Sequence, residues 1–134
     1  MKHGCVLVAD SHPEMLGAVT SLLHDLFETV VMVADEASLL AAIPRLRPDL
    51  VVLDLSLPVA GCRNIAAQCG ERFPSLGVIV LSVHDEPDAA AAAMRTGARG
   101  YVLKRTAATD LAAAIAAVLG GGTYISPAVG PQPR

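Results

Sequence analysis

Four polar residues close apolar runs in this chain. Asp10 ends "CVLVAD", Asp54 ends "VVLD", Ser82 ends "GVIVLS" and Lys104 ends "RGYVLK". A carboxylate at the end of so apolar a run is costly unless something compensates it. Two carboxylates, a hydroxyl and an ammonium gathered in one place would form such a compensated cluster. Lys104 and a bound cation would then balance Asp54. The cluster would offer hard oxygen donors to that cation. Each residue taken singly has a plainer explanation. A strand-end Asp is often a turn residue or a helix cap, Ser82 alone reads as a turn hydroxyl and Lys104 alone as a solvated lysine. The chemistry therefore depends on a fold that brings the four strand ends together.

The rest of the sequence supplies that fold. Short, β-branched apolar runs occur at "CVLVAD", "TVVMVAD", "DLVVLDL", "GVIVLS" and "RGYVLK", each bounded by Gly, Pro or charge. Segments with helical spacing lie between them. The first carries Leu16, Val19, Leu23 and Leu26 and opens with Pro13 in its first turn. The second, "DEASLLAAIPRLRP", is expected to break or kink at Pro44. The third sets Cys62, Ile65, Cys69 and Phe73 on one face. The fourth, "DEPDAAAAAMRTG", has acids at its amino end and stops at Gly97. The fifth aligns Leu111, Ile115 and Val118 and ends at glycines. Strands apolar on both faces, alternating with helices, predict a doubly wound α/β fold of the flavodoxin type. Its five-stranded parallel sheet would have the order 2-1-3-4-5 and five flanking helices, with the functional crevice at the carboxyl ends of the strands. Asp10, Asp54, Ser82 and Lys104 would all face that crevice.

Composition narrows the function. The chain has 134 residues, the length of one domain, and a net charge of −3. That charge offers no basic surface for nucleic-acid phosphates. No apolar run reaches the ~20 residues of a membrane span, and the amino terminus lacks the apolar stretch of a secretory signal. Cys5, Cys62 and Cys69 are odd in number and lack metal-site spacing, so they read as small buried hydrophobes in a reducing, cytoplasmic setting.

As an ordered set, Asp10, "VVLDLSLP", "VIVLS" and "GARGYVLK" resemble the receiver domain of two-component response regulators. "ADSHPEM" and "LSVHDEPD" resemble its NarL/LuxR-type subfamily in particular. "GGTYISPAV" is similar to the segment that leads, in that subfamily, toward a DNA-binding helix-turn-helix. The resemblance divides the chain into a receiver over residues 1–121 and a linker over 122–134 toward a domain that this sequence does not include. It implies that Asp54 is the phosphoacceptor for a sensor histidine kinase and that the chain is not an enzyme beyond this self-catalysed transfer. It implies Mg²⁺ held by Asp10, Asp54 and the Ser56 carbonyl, with Ser82 and Lys104 on the phosphoryl group and Tyr101 as the aromatic switch. A homodimer is implied too, and DNA contact only through the output domain.

Two positions depart from the family pattern. Ser11 stands where receivers carry a second acid, and the spacing from Pro58 to Gly61 is one residue short. Ser11 would hold a metal-bound water in place of a direct carboxylate, which implies weaker Mg²⁺ binding. These departures motivate an alternative, a receiver-shaped interaction module that works without phosphate. An aspartyl-nucleophile phosphatase of the haloacid-dehalogenase type fits poorly, because Leu55 and Ser56, not an Asp-x-Asp pattern, follow Asp54.

Overall fold

The computed structural model describes residues 2–10, 17–54 and 65–129. Its elements alternate as expected: β1 (His3–Ala9), α1 (Gly17–Leu26), β2 (Phe27–Val33), α2 (Glu36–Leu46), β3 (Leu50–Asp54), α3 (Ile65–Arg72), β4 (Gly77–Ser82), α4 (Pro87–Arg95), β5 (Gly100–Leu103) and α5 (Ala107–Leu119). A 3₁₀ turn over Lys104–Thr106 joins the last two. A further short strand, β6 (Tyr124–Ile125), follows α5. Every adjacent pair is parallel, and the order is β2-β1-β3-β4-β5-β6. The expected 2-1-3-4-5 sheet is present, extended by a sixth strand at its β5 edge.

Alternation within each strand builds two cores, one on each face of the sheet. Val6, Val8, Leu50, Val52, Ile79, Leu81 and Val102 face α1 and α5, meeting Val19, Leu23, Leu111, Ile115 and Val118. Leu7, Ala9, Val51, Leu53, Val78, Val80, Tyr101 and Leu103 face the other way, toward Leu39, Ile43, Cys69, Ala90 and Ala93. The central strands β3 and β4 are buried throughout, which is why they read as unbroken apolar runs. The alanines of α4 have a packing role: Ala90 and Ala93 are buried in the same cluster as the bulky Tyr101 ring, with Met94 packed against it. Gly97 follows α4 with φ 109°, a left-handed conformation that favours glycine and turns the chain into β5.

The expectation for α2 needs correction. The helix does not break at Pro44 but continues to Leu46, and Arg47 caps it with φ 46° and its N–H on the Ile43 carbonyl. Pro44 lies in the last turn; it removes one bond of the ladder, the one to the Leu40 carbonyl, and the helix continues past it. The expected Leu16, Pro13, Cys62 and the Pro58–Gly61 spacing lie outside the described residues.

Cys69 is fully buried, as expected, whereas Cys5 is only partly so. Burial, opposed weakly by the Arg72 charge, pushes the Cys69 thiol from 9.0 up to about 11. The fold therefore favours the protonated thiol. Its contribution is complete below pH 9.0 and is lost as pH rises to about 11, amounting to at most about 3 kcal/mol. Urea unfolding of wild type and Cys69→Ala over this range tests this. The stability difference between them should shrink as pH rises; a constant difference would refute the burial argument.

Candidate phosphoryl-transfer site

The change of strand order between β1 and β3 places the ends of these two strands side by side, where a crevice opens in folds of this type. Asp10 directly follows β1, and Asp54 is the last residue of β3. Both are buried, at 2 % and 1 % exposure. Lys104, directly after β5, reaches across to them. Its Nζ lies 2.9 Å from Asp54 Oδ2 and 4.0 Å from Asp10 Oδ2. The close contact is a charge-assisted hydrogen bond donated by the ammonium. Ser82 ends β4 and is also buried. The expected residues Asp10, Asp54 and Lys104 thus share one site, and strand register carries Ser82 to the same end of the sheet, with Ser82 opposite Leu103 and Leu81 opposite Asp54.

Tyr101 points into the protein and is fully buried. Its hydroxyl donates to the His84 carbonyl at 2.7 Å, while the His84 N–H donates to Ser82 Oγ at 3.0 Å. Ser82 and Tyr101 are therefore linked through the backbone of one residue, His84, in the loop after β4. No residue type in the sequence signals that link: the His84 side chain is exposed, its backbone carries the link, and any residue can supply a backbone. Burial raises the Tyr101 phenol above its ordinary 10.0; a bond from Ser82 opposes this, and the charges of Glu86 and Asp85 add to it. An exposed ion pair, Arg105 to Asp85 at 3.1 Å, ties the same loop to the turn after β5.

The donor set suits a hard cation. Asp10 and Asp54 are oxygen donors held against one ammonium, so the trio carries a net negative charge. Among the described residues no group of three or more His, Cys, Asp or Glu converges. A metal here would be held by few protein oxygens and would keep several waters, as Mg²⁺ does. The remaining expected contributors, Ser11 and the Ser56 carbonyl, lie outside the described residues. Also among the described residues, no helix is long and apolar enough to cross a membrane.

Comparison with known proteins gives the family of the fold. The family described as "Response regulator receiver domain" matches residues 6–116. The transcriptional regulatory protein DegU of Brevibacillus brevis is 29% identical over 126 residues, covering 92% of this chain and 53% of DegU. The oxygen regulatory protein NreC of Staphylococcus carnosus is 30% identical, covering 91% of this chain and 58% of NreC. The chain thus spans little more than half the length of these relatives. Among solved structures, the isolated receiver domain of RcsB from Salmonella enterica serovar Typhimurium, with the phosphomimetic BeF3−, superposes with TM-score 0.82 at 28% identity, covering 96% of both chains. A LuxR-family response regulator from Aurantimonas sp. SI85-9A1 superposes with TM-score 0.83 at 26% identity, covering 93% of this chain and 91% of that one. With its matched family and its switch-point carboxylates, this chain belongs to the response regulator receiver domains, among relatives of the NarL/LuxR type.

Proposed function

We propose that this receiver accepts a phosphoryl group on Asp54 from the phosphohistidine of a sensor histidine kinase and passes the signal to a LuxR-type DNA-binding output domain. The observation that carries this reading is the buried Asp54 carboxylate at the end of β3, held by Lys104 Nζ at 2.9 Å with Asp10 beside it. A carboxylate oxygen attacks phosphorus, the bond from phosphorus to the imidazole nitrogen breaks, and an acyl phosphate remains on Asp54. Receiver domains in general bind Mg²⁺ at this acidic pocket, where it neutralises charge between the two anions. Asp10 and Asp54 would hold it, with the Ser56 carbonyl and a water on Ser11. Lys104 moves its hydrogen bond from the carboxylate to the phosphoryl group, and Ser82 donates to a phosphoryl oxygen. Tyr101 follows Ser82 through the His84 backbone. Phosphoryl uptake from acetyl phosphate, measured by intact mass, tests the assignment.

The output half of the proposal rests on the relatives. They are longer than this chain, and DegU is a transcriptional regulatory protein. An RcsB–DNA complex and RcsB dimers on DNA are known structures. Control of transcription and pairing of two copies belong to the proposal on that ground, as do a cytoplasmic location and the division at residue 121.

The Mg²⁺ arm has its own test. With Ser11 replacing an acid, Ser11→Asp supplies a second charged oxygen beside Asp10. Mg²⁺ affinity should rise about ten-fold by calorimetric titration. Equal affinity in the two proteins would show that residue 11 does not face the metal.

A further inference from the structure

The segment after α5 closes the outer edge of the sheet. Gly121, with φ 91°, turns the chain, and Gly122 N–H bonds the Ala117 carbonyl at 2.8 Å. The chain then runs parallel to β5. Tyr124 N–H donates to the Arg99 carbonyl at 3.0 Å and Ser126 N–H to the Tyr101 carbonyl at 2.9 Å. Beyond Ser126 the chain turns at Pro127 and leaves the ladder. The Ser126 side chain takes the next place in the ladder: its fully buried hydroxyl oxygen accepts the Leu103 N–H at 3.0 Å. Val129, 5% exposed, then enters the same buried cluster as Tyr101, Leu103, Ala90 and Ala93.

Tyr101 therefore has two attachments. Its hydroxyl is bound to the loop of the crevice through His84, and its carbonyl is bound to Ser126. Its ring shares a core with Val129. An outward turn of the ring would leave a void in that core, and close-packed cores do not deform continuously around such a loss.

We propose that the Tyr124–Val129 strap and the inward Tyr101 ring form one two-state element. Undocking the strap frees the ring from its pocket, and a ring turned outward loosens the strap. The coupling is reciprocal, as linkage requires. It gives the Ser82–His84 loop a route to whatever follows residue 129, and it holds whether or not Asp54 is phosphorylated.

The chain has no Trp and two Tyr, so in a Tyr124→Phe background Tyr101 is the sole tyrosine and reports alone. Ser126→Ala and Val129→Asp are each introduced there. Amide exchange at residues 103 and 126 reads the strap, and acrylamide quenching with phenol titration reads the ring. Exchange at Leu7 and Val52 shows that the sheet is intact. The expected result is about ten-fold faster exchange at residues 103 and 126 and about two-fold stronger quenching, with the phenol titrating nearer its ordinary value. Faster exchange with a ring still shielded would overturn the coupling. Unchanged exchange in both variants would overturn it equally, since Ser126 and Val129 would then not hold the strap. Should Val129→Asp unfold, the milder Ser126→Ala decides.

Discussion

Incubation with acetyl phosphate and Mg²⁺ should add one phosphoryl group to the wild-type chain, and Asp54→Ala should abolish the addition. The expected loss is complete because alanine removes the nucleophilic atom itself. A neighbouring carboxylate is no substitute: Asp10 lies 4.0 Å from the ammonium that Asp54 holds at 2.9 Å. A nucleophile must be matched to groups that take up the charge developing at phosphorus. Lys104 holds the carboxylate at the end of β3, with Ser82 at the same end of the sheet, so displacing the reaction to another carboxylate forfeits that stabilisation. Intact mass measured with and without Mg²⁺ gives the readout. A phosphoryl gain that persists in Asp54→Ala would move the acceptor elsewhere. No gain in the wild type would favour a module that acts without phosphate.

The site was legible in the sequence because each of its residues interrupts an apolar run. In a parallel sheet all such runs end at the same side, so Asp10, Asp54, Ser82 and Lys104 could be gathered before any distance was known. Core positions were legible for the same reason: Leu111, Ile115 and Val118 recur at helical spacing, and all three are buried. What remained illegible has a different character. β6 is two residues long, too short to display an alternation, and its register comes from Ser126, whose buried hydroxyl looks in sequence like any turn serine. The His84 link runs through backbone atoms, which leave no compositional trace. Pro44 was read as a breaker or kink because local rules penalise it within a helix, yet the helix continues past it to Leu46, where the cost is one lost ladder bond.

Lys104→Met should destabilise the fold by about 2–3 kcal/mol, the second-largest effect expected here. Methionine keeps the length of the stem and removes the charge, leaving two carboxylates buried at 1 % and 2 % exposure without their ammonium. Removing one partner of a fully buried pair costs about 3–5 kcal/mol. The value is set lower here because the Lys104 side chain is 28% exposed and solvent already shares its charge. The mechanism makes a second, sharper demand. If the loss comes from repulsion between two carboxylates deprived of the Lys104 charge, then Asp10→Asn should return about 1 kcal/mol in the Lys104→Met background and less in the wild type, where the ammonium already offsets that charge. Loss of stem packing alone would produce no such coupling. Urea unfolding of the four proteins at neutral pH, with equal m values, closes the cycle. A loss below about 0.5 kcal/mol, or additive effects of the two substitutions, would show that Lys104 is not what allows Asp10 and Asp54 to be buried together.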